Sequence, residues 1–278
     1  DGSTNVTLTG TAVYSGLVDG DTFNGTYTGA FSDKNVGTGK TVTITSSYSG
    51  ADVSNYSVTD QSSTIANITA KSLTVSGITA SDKTYDGSVT ATMNSSSAVY
   101  SGFVNGDDFA ASYSGVFSDK NVGSGKTVNI TSSYSGADVS NYDITDQTST
   151  TANISAKALT ATASASNKVY DGSSAATSTL TLSGFVGSET VTSTNSSTFN
   201  NKNVGTGKTV TVNSITLADG SGLAANYSIS AGQSTTANIT AKSLTVSGIT
   251  ASNKTYDGST NVTLTGTAVY NGLVSGDT

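Results

Sequence analysis

In 278 residues there is no cysteine, histidine, proline, tryptophan or arginine. Each absence removes a chemistry. Without Cys or His there is no zinc, haem or iron–sulfur centre of the usual kind, and no Ser-His-Asp or Cys-His nucleophile. Without His, the side chain best suited to proton transfer near neutrality is missing. Without Arg, no bidentate clamp for phosphate or carboxylate can be built. An enzyme is not expected, and neither catalytic residues nor a cofactor are assigned. The 12 basic groups are all Lys, set against 19 carboxylates, for a net charge of -7. That balance argues against nucleic acid and anionic membrane surfaces, which call for clustered basic charge. No apolar run approaches the ~18–20 residues that span a bilayer, so membrane insertion is not expected.

What the chain does contain is Ser and Thr, about a third of all residues, with 30 Gly and 13 Tyr. It is also internally repetitive. KSLTVSGITASDKTYDGS at 71–88 recurs at 242–259 with one change, Asp82 to Asn253, and a diverged copy lies at 157–173. Asp-Gly-Ser steps fall at Asp1, Asp86, Asp171 and Asp257, a period of 85–86 residues. Residues 1–22 reappear at 257–278 with two changes. Every Lys is periodic: Lys34, Lys120 and Lys202 form one set, and Lys71, Lys157 and Lys242 another. A solenoid unit runs ~20–50 residues, so this period suits a small domain with its own core. The divisions read as an incomplete repeat over 1–70 lacking its first strand, complete repeats over 71–156 and 157–241, and the start of a further one over 242–278. The opening Asp1-Gly2-Ser3 reads as the interior of a longer array.

Helix formers are scarce while Thr, Val, Ser and Tyr dominate, and apolar residues alternate with polar ones, as in Lys126-Thr127-Val128-Asn129-Ile130. The expected fold class is all-β: a tandem array of small antiparallel β domains of about 85 residues, forming an extended rod. Tyr85-Asp86-Gly87 reads as a tight turn with Gly at positive φ. GTGKT at 37–41 echoes a phosphate loop, but one residue separates its glycines and a strand follows, so nucleotide binding is not expected. The expected core of the third repeat includes Leu159, Tyr170, Phe185, Phe199, Val204, Val210, Val212, Tyr227 and Ile239, with Tyr56, Tyr142 and Tyr227 as its recurring aromatic. At the joint, Ala152-Asn153-Ile154-Ser155-Ala156 runs into Lys157-Ala158-Leu159-Thr160 without a flexible linker, so little hinge motion is expected. Each repeat is expected to fold alone without metal.

The recurring K(S/A)LT, (T/V)YDGS, KNVG(T/S)GKTV, SNY or ANY, and T(I/T)ANI(T/S)AK together resemble the YDG repeat, a relative of MBG-type repeats in large bacterial surface proteins such as filamentous-haemagglutinin-like adhesins. The resemblance covers essentially the whole chain. It implies a small β domain, β-grasp-like with an Ig-like sandwich as the alternative, in the stalk of an exported adhesin at the cell surface, with no catalytic residue. The expected partners are neighbouring repeats of the same chain and other copies of it in a filament, with a host or surface ligand left open. A stiff spacer is the leading functional expectation. Two others stand beside it: self-assembly by strand pairing between chains, in which 242–250 supplies the strand that 1–70 lacks, and weak multivalent glycan or protein binding through 46–56 and 132–142.

Two site chemistries remain for this composition. Asp19, Asp21, Asp107 and Asp108 offer hard oxygen ligands for calcium, although Gly187-Ser188-Glu189 leaves one carboxylate in the third repeat, so a polar turn is the preferred reading. An isopeptide bond would join Lys71 to Asn153 with Asp107 as the acid, and Lys157 to Asn238 with Glu189. It would require a neutral Lys and a protonated acid in an apolar pocket. The plainer reading is a Lys that discourages edge pairing, an acid that caps a turn and an Asn facing solvent. The acid nevertheless recurs, at Asp21, Asp107, Glu189 and Asp277. Sequons such as Asn67-Ile68-Thr69 and Asn226-Tyr227-Ser228 are numerous enough to arise by chance.

Overall fold

The computed structural model describes residues 1–278. Half of them lie in strands and none in an α-helix. The only helical turns are three-residue 3₁₀ turns at Val53–Asn55, Val139–Asn141 and Ala224–Asn226. The pattern that builds the strands is visible in Ala110–Phe117, where Ala111, Tyr113, Gly115 and Phe117 turn inward between more exposed neighbours. Period-2 burial of this kind is what a half-covered sheet requires.

The chain divides into two compact units that cut across the repeats. One comprises Asp1–Asp82, Val89–Asp119 and Gly125–Asn153; the other comprises Lys83–Ser88, Lys120–Ser124 and Ile154–Thr278. In the first unit, the first repeat is an antiparallel four-stranded sheet in the order Asn5–Val6, Asn24–Phe31, Gly37–Ser49, Ser63–Ile68. The second repeat contributes a long hairpin pairing Ala110–Phe117 with Gly123–Ser135. Its opening strand Lys71–Ser76 sits between Val99–Ser101, antiparallel, and Tyr142–Thr145, parallel. Leu73, Val75 and Ile78 are buried beneath it, as are Phe117 and Val128. Phe109 is ringed by Tyr100, Phe103, Tyr134 and Tyr142 at 5.4–6.0 Å between ring centroids.

In the second unit, a five-stranded sheet runs Lys168–Val169, Ser234–Thr240, Gly205–Asp219, Val191–Phe199, Ala175–Ala176. Phe199, Val210, Ala237 and Ile239 form its core, with Ala165, Tyr170 and Ala176 packed against them. The stretch peculiar to the third repeat lengthens its hairpin strand to 15 residues, against 13 in the second repeat. In the fourth repeat Thr245–Ser247 pairs with Val269–Asn271 and Thr250–Ala251 with Leu264–Thr265.

Two expectations need correction. The domains are mixed rather than antiparallel: opening strands pair in parallel with the strand after the 3₁₀ turn, Lys71–Thr74 with Tyr142–Thr145 and Lys157–Ala158 with Tyr227–Ser228. These partners lie about 70 residues apart and are joined by a crossover through the long hairpin, so no tight turn forces them antiparallel. Val204, expected in the core, is 54% exposed. It belongs to the Asn-Val-Gly loop, which serves the edge of the repeat.

The two loop motifs fold as local staples. Lys83 Nζ donates to Asp86 Oδ1 and to the Ser88 carbonyl, both at 2.8 Å, while Asp86 accepts the Ser88 N–H at 2.9 Å. Gly87 adopts φ 78°, as the tight turn predicts. The same arrangement recurs at Lys168-Asp171-Ser173 and Lys254-Asp257-Ser259. The Lys168 ammonium holds the Asp171 carboxyl down to about 2. In the Gly-rich loop, the Gly39, Gly125 and Gly207 N–H groups donate to Asn67, Asn153 and Asn238 Oδ1 at 2.7–2.8 Å. The chain then continues as a strand, with no helix N-terminus to receive a phosphate.

Candidate functional site: the joint between repeats

The tight turn and the Asn-Val-Gly loop stand at one end of a repeat, and residues of the following repeat meet them. The fullest case lies in the second unit. Glu189 accepts hydrogen bonds from Tyr85 Oη at 2.8 and 2.9 Å, from Tyr227 Oη at 2.8 Å and from Lys120 Nζ at 2.8 Å. Tyr85 and Lys120 come from the second repeat; Glu189 and Tyr227 come from the third. The Tyr85 and Tyr227 rings meet edge to face at 5.6 Å, an arrangement that adds to simple burial. Beside them Asn226, almost wholly buried, accepts the Val122 N–H at 2.9 Å and donates from Nδ2 to Asn121 Oδ1 at 3.0 Å. A Cβ on Gly87 would come within 2.8 Å of Val186, so this glycine answers to close approach as well as to its φ.

The same positions recur in the first unit. Lys34 of the first repeat contacts Asp107 at 2.5 Å and Asp138 at 2.9 Å, and Tyr142 Oη donates to Asp107 at 2.6 Å. Asn141 accepts the Val36 N–H at 2.9 Å and donates to Asn35 at 3.1 Å. Val104 lies 2.8 Å from a Cβ built on Gly2. Between the third and fourth repeats, Tyr170 Oη donates to Asp277 at 3.0 Å, Lys202 stands 3.8 Å from it, and Val274 approaches Gly172. One periodic device therefore forms three times, with turn glycine and lysine on one side and valine and acid on the other; in the first two the Asn-Val loop also meets an Asn-Tyr pair.

Electrostatics follow from the contacts. The Lys120 ammonium, then the Tyr227 hydroxyl, hold the Glu189 carboxyl below its ordinary range. Lys34, then Tyr142, do the same for Asp107. The lysines are raised in return, Lys34 by Asp107 and Lys120 by Glu189. Burial, then the carboxylate, pushes the Tyr85 and Tyr142 phenols up. Each joint is thus a charge-assisted contact between an ionised acid, a protonated lysine and neutral phenols.

The residues considered from sequence fall as follows. For the isopeptide chemistry, Asp107 and Lys71 line one small cavity, but Asn153 is engaged elsewhere, with Asp82 and the Gly125 N–H. Asn238 bonds Asn167 and the Gly207 N–H, and Lys157 opens a strand paired to Tyr227. The acids are held ionised, opposite to the protonated form the reaction needs. Of the calcium candidates, Asp19 is exposed; Asp21 accepts from Tyr56, Asp107 from Lys34 and Tyr142, and Asp108 from the Ala137 N–H. No three carboxylates gather where they could hold a metal ion. Tyr142 and Tyr227 are buried as expected, but Tyr56 is only half-buried. The sequon at Asn226 is closed off by burial.

Sequence reasoning placed the linker-free junction but missed the side chains that meet between consecutive repeats. The signal was present: the acid, the lysine set and the Asn-Tyr pair recur with one period, which marks them as serving the same contact in every repeat.

The fold and joint define an all-β chain of tandem domains in which residues of consecutive repeats meet at recurring positions. The chain belongs to the YDG domain family, which it matches over residues 1–64, 69–151, 155–237 and 240–278. No curated protein and no solved structure matches it.

Proposed function

We propose that the chain is a non-catalytic spacer: structural repeats that hold a binding domain away from a bacterial cell, within a large extracellular adhesin or surface filament. The observation that carries this reading is the joint. The same contact between consecutive repeats forms around Asp107, Glu189 and Asp277. A spacer needs length and resistance to bending, and it needs both at every junction. Direct docking without a linker supplies the second, because a flexible segment would let the ends approach. Supporting this, the composition offers no catalytic constellation, and the family resemblance points to exported surface proteins. The chain acts at the cell surface, and its partners are its own neighbouring repeats.

Small-angle scattering tests the mechanical part. A compact chain of this length has a radius of gyration of about 19 Å; a spacer gives a value larger by about half or more, unchanged by moderate salt. A value near 19 Å overturns the reading. Antibody against residues 71–156 labels intact cells of the producing bacterium; labelling only after permeabilisation overturns the surface assignment.

A further inference from the structure

The acid that meets the preceding repeat is delivered by a tight turn. In the second repeat the turn is Val104-Asn105-Gly106-Asp107, closed by the Asp107 N–H donating to the Val104 carbonyl at 3.3 Å, with Gly106 at φ 97°. Both ends of it are tied to Tyr142. The Val104 N–H donates to Tyr142 Oη at 3.0 Å, and that hydroxyl donates to Asp107 Oδ2 at 2.6 Å. Asp107 in turn reaches Lys34 of the first repeat at 2.5 Å. The geometry of the turn therefore sets the place of the acid in the joint.

An Asn-Gly step is open to attack by the glycine nitrogen on the asparagine amide, because glycine puts no Cβ in the way. The chain has three such steps, Asn24-Gly25, Asn105-Gly106 and Asn271-Gly272. In two of them the asparagine is a strand residue: Asn24 pairs with Ser49 and Asn271 with Thr245. The glycines that follow are hemmed in, since a Cβ on Gly25 would collide with Tyr27 Oη and one on Gly272 with the Ser243 carbonyl. Asn105 differs on each count. It lies outside any strand, and its side chain is exposed and held by no hydrogen bond. Nothing lies within 4 Å of a Cβ built on Gly106. The bond that closes the turn is made by the Asp107 N–H, which leaves the Gly106 nitrogen free to react.

We infer that Asn105 is a site of spontaneous deamidation whose isoaspartyl product opens the joint between the first and second repeats. The Gly106 nitrogen attacks Asn105 Cγ and an N–Cγ bond forms. The Cγ–Nδ2 bond breaks, and the displaced nitrogen leaves as ammonia with the proton that Gly106 gives up. Water then opens the cyclic imide. Cleavage at Cγ gives aspartate; cleavage at the main-chain carbonyl gives isoaspartate, whose backbone runs through Cβ and Cγ. Only water is consumed. The two products differ in consequence. The first repeat already carries Asp19 at this position, in a turn closed by the Asp21 N–H and the Val18 carbonyl at 3.2 Å with Gly20 at φ 90°, so aspartate fits. Isoaspartate adds one backbone atom between Val104 and Asp107. A turn held at both ends by a single hydroxyl cannot absorb that atom, so Tyr142 loses one of its two contacts and Asp107 is drawn away from Lys34.

The test is to age the full chain in mildly alkaline buffer at body temperature and to map its peptides by mass spectrometry, with isoaspartate read by enzymatic methyl transfer. Ammonia loss is expected at Asn105, with Asn24 unchanged over the same period. Hydrogen exchange on the isolated isoaspartyl chain then reads the joint. The Val104 N–H, accepted by Tyr142, and the Val36 N–H, accepted by Asn141 across the joint, exchange about tenfold faster than in the fresh chain. Freshly prepared Asn105→Asp exchanges as the native chain does, and Asn105→Ser is unchanged by ageing. Three results would each overturn the inference: an Asn105 that survives ageing in the chain while a free peptide of residues 101–109 reacts, loss from Asn24 at the same rate, or an isoaspartyl chain whose Val36 and Val104 exchange is unaltered.

Discussion

Residues 71–79 and 242–250 are the same nine residues in opposite surroundings. In the second repeat they form a six-residue strand held on both edges, with Leu73, Val75 and Ile78 sealed from water. In the fourth repeat the matching strand shortens to Thr245–Ser247, paired on one edge, and the three apolar side chains stay about half exposed. The contrast extends along both copies. Tyr85, in the turn of the second repeat, is buried against Glu189, whereas Tyr256, in the identical turn, is 94% exposed. Yet the turn itself is unchanged: Lys254 grips Asp257 as Lys83 grips Asp86, both at 2.8 Å. Local structure in this chain is thus written in the local sequence, while burial is conferred by what packs on it.

The sharpest way to break that comparison is to truncate the same leucine in both copies. Leu73→Ala removes buried methyl groups and leaves a cavity, so it lowers stability by about 2–5 kcal/mol. Leu244→Ala, in the same hexapeptide, changes stability by less than about 0.5 kcal/mol. Chemical denaturation of the two variants, each at a concentration where the chain is monomeric, decides the matter. Equal losses would mean that residues 242–250 are covered in solution.

A smaller effect is expected at the joint. Asn226→Ala strips the half-buried Val122 N–H of its acceptor and costs about 1–2 kcal/mol. Tyr85→Phe removes one of the hydroxyls that reach Glu189 and costs about 1–2 kcal/mol, whereas Tyr256→Phe is silent within about 0.5 kcal/mol. Thermal unfolding of the four-repeat chain reads both. If Tyr85→Phe were as silent as Tyr256→Phe, the hydroxyl–carboxylate contact would contribute nothing and ring packing alone would hold the joint.

Much of this fold was legible in the sequence because its causes are local. Alternation predicted strands, the Asp-Gly step predicted a turn with positive φ, and the spacing of Gly37, Gly39 and Lys40 excluded a phosphate loop. Parallel pairing was not legible, since nothing in Lys71–Ser76 specifies a partner about 70 residues away. The joint was hidden for the same reason: Tyr85 and Glu189 are separated by 104 residues. Recurrence of the acid at Asp21, Asp107, Glu189 and Asp277 was visible, and so was the Lys34, Lys120 and Lys202 set. Only docking of consecutive repeats shows that these two series meet. Val204 misled because an apolar residue at a domain end and one in a core look alike in a single repeat.

The smallest effect expected, and the one that isolates the joint from the turns, is its response to acid. Asp107 and Glu189 have their carboxyl pKa values depressed in the folded chain, chiefly by Lys34 and Lys120. In the unfolded chain the same groups titrate near about 3.9 and 4.3. A depressed folded value means that the unfolded chain binds protons first, so this stabilisation is complete above the ordinary carboxylate range and is lost as pH falls below about 4. Asp86, Asp171 and Asp257 are also depressed, each by the lysine of its own turn. Acid therefore weakens the turns in every repeat, docked or not. Glu189→Gln separates the two contributions, because it keeps the side-chain length and the turn carboxylates while removing the charge that Lys120 faces. Melting temperatures measured from pH 7 to pH 3 should fall for both proteins, with a shallower decline for the variant. Parallel curves would show that the Lys120–Glu189 ion pair carries no pH-dependent stability, leaving the acid response to the other depressed carboxylates, Asp107 and the turn residues among them.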